Sequence, residues 1–254
     1  MRFFISLALL FLSACAQTSM QDINANNVDR DNRHRAELRV ELASAYYTEG
    51  QYSTALKEVD TALAIDPSLA GAHGLRGLVL MQTGQDKQAE RSLREALRLA
   101  PENPDWQNNM GWFVCQRQSA KAAMPYFLQA LANKAYGSPQ KALLNAGLCS
   151  LKDHDAINAE FYFQRALQFE PNLVLARVKL AKIYFERGDL AQARRHILVA
   201  VQSEKVVVED LMMAIHIERK LGDRAAEKSL VSKLKRLYPD APKAAGYFGG
   251  ELDE

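Results

Sequence analysis

Small and bulky apolar residues return along this chain at helical spacing, and that pattern is itself repeated at a longer fixed period. Residues Asn145 to Asn172 show the unit: small Gly147, a polar break from Asp153 to Asp155, small Ala159, aromatic Phe163 four places on, small Ala166 and a closing Pro171. This spacing predicts two antiparallel helices joined at the break. Gly147 and Ala159 lack the bulk that would hold the helices apart, and Phe163 fills the space beside them. Pro171 stops the second helix because it has no N–H to donate and its ring clashes with the preceding turn. The same order recurs every 34 residues, with a two-residue insertion near Ala135 to Ser138. The eighth place of each unit reads Ala43, Gly77, Gly111, Gly147 and Ala181, and the twentieth Ala55, Ala89, Ala123, Ala159 and Ala193. The bulky place four later reads Val59, Leu93, Phe127, Phe163 and Ile197, and the twenty-seventh Ala62, Ala96, Ala130, Ala166 and Ala200.

This period and this small, large, small, proline order resemble the tetratricopeptide repeat. The resemblance implies an all-α fold, a right-handed superhelix of about six helix-turn-helix repeats, each stacked on its neighbours. The repeats are expected at 36–69, 70–103, 104–139, 140–173, 174–207 and 208–239. The sixth has drifted, with Ile215 where a small residue belongs and Glu227 where alanine is expected. A terminal repeat has one face without a neighbour, so the drift suits a cap with a more polar outer side. Residues 240–254 form a glycine-containing tail without helical period, expected to be mostly disordered.

Composition adds little to this and excludes one class. With 32 basic against 30 acidic residues and a formal net charge of +2, the chain has no basic excess of the kind that marks nucleic-acid binding. The amino terminus changes the picture more. Met1-Arg2 followed by an apolar run from Phe3 to Leu12 is too short to span a bilayer and reads as a signal peptide over residues 1–14. Leu12-Ser13-Ala14-Cys15 resembles the bacterial lipobox, which implies that Cys15 becomes the lipid-bearing first residue of the mature chain. Several acyl chains on one residue anchor stably. Ala16 is not the aspartate that retains such lipoproteins in the inner membrane, so the resemblance implies the outer membrane, facing the periplasm. Residues 15–35 are dominated by polar side chains and read as a flexible tether.

Two further cysteines, Cys115 and Cys149, stand 34 residues apart on the expected first helices of neighbouring repeats. In an oxidising compartment they could bridge; as two buried free thiols they would simply pack as small apolar residues. The insertion moves Cys149 two places within its repeat, which bears on the pairing. Neither metal nor catalytic chemistry has a pattern. His34, His73, His154, His196 and His216 are scattered, and no second pair of Cys or His lies at zinc-ligand spacing. Gly71, Gly74 and Gly77 follow a helix stop rather than a strand, so they are not a dinucleotide fingerprint. With no nucleophile elbow either, the expectation is a non-enzyme without cofactor or small-molecule substrate.

What remains is recognition by the inner-facing side of the first helices. The repeat places there Val40, Tyr47, Leu78, Met81, Asn108, Trp112, Leu144, Leu148, Val178 and Phe185, with Leu151 beside them. They form an apolar face suited to a partner helix or extended peptide, although the same residues could equally pack on the adjacent helix. Three strings carry a closer resemblance: Asn108 to Cys115, Leu144 to Cys149, and Leu234 to Pro239. They look like the type IV pilus biogenesis lipoproteins, the pilotin family of six-repeat outer-membrane proteins, although Met110 stands where that family commonly has tyrosine. The resemblance implies binding of secretin subunits and promotion of their ring assembly in the outer membrane. The alternative is a general envelope scaffold serving barrel assembly or peptidoglycan enzymes.

Overall fold

The computed structural model describes residues 28–202 and 206–240. Its helices are α1 (28–48), α2 (Tyr52–Ile65), α3 (Ala70–Gln82), α4 (Asp86–Leu99), α5 (Pro104–Arg117), α6 (Ala120–Ala132), α7 (Pro139–Lys152), α8 (Ala156–Phe169), α9 (Val174–Arg187), α10 (Leu190–Ala200), α11 (Val208–Leu221) and α12 (Arg224–Leu237). These make six helix-turn-helix pairs, and no strand occurs among the described residues. The chain forms two compact units that divide between Phe113 and Val114, inside α5.

The repeating columns are the core. The alanines at the twentieth place and the bulky residues four later are all fully buried, as are Ala62, Ala96, Ala130 and Ala166. Contacts show why two of the small places are glycine. In the first unit a Cβ on Gly77 would lie 2.6 Å from Leu93 Cγ, and in the second a Cβ on Gly147 would lie 2.5 Å from Phe163 Cε1. Each glycine therefore lets its own repeat's bulky residue cross the helix pair. Gly74 has a different reason, because a Cβ there would sit 2.3 Å from Trp106 Cζ3. The insertion also contributes to the interior, burying Tyr136 against Ala130 and Ala142.

Helix starts and stops follow local chemistry. Asn103 Oδ1 accepts from the backbone N–H of Asp105 and Trp106, and Ser119, Asp155, Asp189 and Asp223 accept from the N–H three residues on. The turns within repeats pass through left-handed backbone at Gly50, Gly84, Gly188 and Gly222, and His154 holds the matching place with φ 59°. A side chain in that region is strained where glycine is not. His154→Gly is therefore expected to raise stability by about 0.5–1 kcal/mol in a thermal or urea melt.

Two expectations are corrected here. The tether does not extend to residue 35, because residues 28–35 are already helical. Their polarity misled the reading: charged side chains can support a solvent-facing helix through one-turn pairs, as Arg33 does with Glu37 at 3.3 Å. The drifted sixth repeat does not simply place its polar residues outside. Glu227 is 2% exposed, with Arg219 at 2.7 Å and Arg224 at 3.6 Å. Glu218 is fully buried, 3.0 Å from Arg194, and its burial raises its pKa. Buried acids need such partners. Residues 15–27 and 241–254, with most of the expected tether and tail, lie outside the described residues, as do the signal peptide and Cys15.

Candidate protein-binding face

Most of the expected contact residues are half-buried side chains on the first helices of the repeats. In the first unit these are Val40 and Tyr47 on α1, Leu78 and Met81 on α3, and Trp112 on α5. Val40 and Tyr47 also pack on that unit's core, and the Tyr47 ring lies 5.8 Å from that of Tyr52. Asn108 is corrected: at 4% exposure it is enclosed, beside Gln107, whose side chain donates to the Pro101 carbonyl at 2.7 Å. The repeat puts the fifth place on its inner surface, but here the polar residue at that place is interior.

In the second unit Leu144, Leu148 and Leu151 on α7 and Val178 and Phe185 on α9 are half-buried against the core. Two adjoining depressions open on this side. One, of about 500 Å³, is lined by Leu148, Leu151, Lys152, Lys179, Lys182 and Glu186 among others. The next, of about 360 Å³, is lined by Lys182, Phe185, Glu186, Glu209, Met212, Met213 and His216. The residues from α11 were missed by the sequence reading. Their signal was present, since Leu144, Val178 and Met212 follow one another at the repeat period. The drift of the sixth repeat at its small places obscured it.

The cysteines lie beneath this face. Cys115 and Cys149 are joined by a disulfide, with Cα atoms 5.9 Å apart. The two-place offset does not spoil the approach. Around the bridge, Lys152 Nζ donates to the Cys115 and Gln116 carbonyls at 2.6 and 2.9 Å, and Asp153 Oδ2 accepts from the Ala120 N–H at 3.0 Å. Asp153 and Asp155 are thus helix-end acceptors, with His154 exposed between them.

The histidines do not converge. His73 bonds the Pro67 carbonyl through Nε2, while His196 stacks on Tyr184 with ring centres 5.6 Å apart. Burial, then the charges of Arg177 and Arg195, lower the His196 pKa to about 4. The ring is neutral in the native state at pH 7. Because the unfolded chain binds this proton near pH 6.5, the stability it contributes is complete above that value and is lost as pH falls toward about 4. His196→Phe is expected to flatten the stability profile between those limits by about 1–2 kcal/mol, a figure reduced for the ring's partial exposure. Urea melts at pH 7 and 4.5 check it.

Comparison with known proteins agrees with this fold. Residues 48–113 match the tetratricopeptide repeat family model. The type IV pilus assembly protein PilF of Pseudomonas aeruginosa is 27% identical over 235 residues, spanning 91% of this chain and 93% of that protein. The solved structure of PilW, described as a widely conserved type IV pilus biogenesis factor, is similar with a TM-score of 0.72 and 28% identity, over 84% of this chain and 98% of that one. The Pseudomonas aeruginosa PilF structure gives a TM-score of 0.75 at 24% identity, over 86% and 98%. The chain therefore carries a tetratricopeptide-repeat domain, a fold that serves as a scaffold for protein interactions. Within that class it is homologous to PilF and PilW over most of its length.

Proposed function

We propose that this chain is an outer-membrane lipoprotein acting as a pilotin in type IV pilus biogenesis, binding secretin subunits and promoting their localisation and multimerisation. The observation that carries this reading is the correspondence with PilF across 91% of this chain and 93% of the relative, so that the whole repeat array is shared rather than one common hairpin. The lipobox-like Leu12 to Cys15 and the half-buried apolar inner faces support it. In this reading the protein is not an enzyme. It works by binding, and the anchor raises the effective concentration of secretin at the membrane.

Three experiments test it. Cys15→Ser is expected to leave an unlipidated precursor that no longer fractionates with outer membrane or labels with palmitate. Trp112→Ala or Phe185→Ala is expected to reduce the heat-stable secretin multimer and pilus counts with helix content unchanged, since truncating an aromatic anchor costs about 2 kcal/mol or more, roughly a thirtyfold loss of affinity. Normal multimers in the outer membrane of a deletion strain would overturn the pilotin role and leave the general envelope scaffold.

A further inference from the structure

The inner side of α7, α9 and α11 is uneven in chemistry, and the unevenness selects a ligand. At one end the depression beside α7 is edged by Lys152, Lys179 and Lys182 against a single lining carboxylate, Glu186. Lys152 donates to two backbone carbonyls, and the acid in electrostatic reach of Lys179 is Asp210. Lys182 and Glu186 stand 3.8 Å apart with side chains 59% and 63% exposed, a contact that solvent screens heavily. At the other end, Phe185, Met212 and Met213 make an apolar seat rimmed by Glu209 and His216, with Lys220 Nζ 5.7 Å from the centre of the Phe185 ring. The two depressions share Lys182 and Glu186, so one ligand can occupy both.

We infer that this groove takes an amphipathic protein segment with acidic residues on one flank, its apolar side seated on Phe185, Met212 and Met213. This rests on the reading of the chain as a binding protein and adds the chemistry of what it binds. Charge complementarity sets the acidic flank against the lysine edge, and two adjacent methionines give a seat that adapts to aliphatic side chains of differing shape. Along α9, Lys179 to Glu186 spans about 10 Å at 1.5 Å per residue, so a segment crossing both depressions needs about two helical turns. A flat bilayer surface would not reach a concave seat whose Lys179 is itself half-buried.

The test uses the intact lipidated protein in nanodiscs of neutral lipid and two fluorescent 14-residue amphipathic peptides. They share one leucine face and differ only in carrying four glutamates or four lysines on the flank. Anisotropy at 0.15 M NaCl is expected to show the glutamate peptide binding about tenfold tighter. Lys179→Glu with Lys182→Glu should reverse that preference, Met212→Glu should abolish binding of both, and Lys87→Glu, exposed on α4 of the first unit, should change neither. Unchanged melting curves establish that the variants fold. Equal affinity for the two peptides, or a preference that survives the double lysine substitution, would overturn the inference. So would displacement of the peptide by phosphatidylglycerol vesicles, which would assign the lysines to lipid headgroups, or a dimer lost with Met212→Glu, which would assign the groove to a second copy. Peptide discrimination with normal secretin multimers in a deletion strain would instead retain the groove and remove only the pilotin role.

Discussion

Opening the Cys115–Cys149 bridge is expected to cost the protein about 3–4 kcal/mol. The bridge closes a loop with a sequence separation of 34, and a cross-link of that span restricts the unfolded chain by about this amount in the chain-entropy account. Its setting fixes where the loss is felt. The bridge ties α5 to α7 within the second unit, and the Lys152 and Asp153 contacts tie the same turn a second time. Reductant, or Cys115→Ser with Cys149→Ser, should therefore lower the melting temperature by several degrees without unravelling the helices. Thiol titration of the denatured, unreduced protein should find neither of these two sulfurs reactive. Two reactive thiols at these positions would remove the bridge from the account.

Phe163→Ala carries the other large effect, a loss of about 3–5 kcal/mol, because the ring is fully buried and its removal leaves a cavity as well as losing the transfer energy. Its partner makes the result diagnostic. Gly147→Ala alone should cost about 1–3 kcal/mol, since a Cβ there would stand 2.5 Å from the ring. In the double variant the ring is gone and the new methyl has room, so the two costs should fall short of their sum by about 1 kcal/mol or more. Strict additivity in denaturant melts would mean that the glycine is not there for the ring. Because a repeat array transmits load mainly between neighbours, hydrogen exchange should rise first in α7, α8 and α9.

The sequence by itself determined the repeat. Columns such as Ala55, Ala89, Ala123, Ala159 and Ala193 are periodic because each hairpin solves the same local packing problem, and a helix pair that must approach closely leaves a small residue at a fixed place. Those positions are buried as their spacing requires. Nine of the ten residues expected on the inner face are half-buried. The same reading failed at Asn108, where a polar residue lies in the interior, and at residues 28–35, where charged side chains support a helix that low hydrophobicity had argued against.

Only the tertiary structure decided what depends on partners distant in sequence. Gly74 is glycine because Trp106 arrives from another helix, and no local signal records that. Glu227 can replace a core alanine because Arg219 reaches it from the facing helix. The sulfurs of Cys115 and Cys149 meet although their places in the repeat differ by two, since a separation of 5.9 Å between Cα atoms is set by how α5 and α7 lie together rather than by their register. The charge of the mixed lysine and methionine groove was likewise decided by folding, because its lysines come from α7 and α9 and its methionines from α11, and charge at separate points on a chain becomes a surface only when folding gathers it.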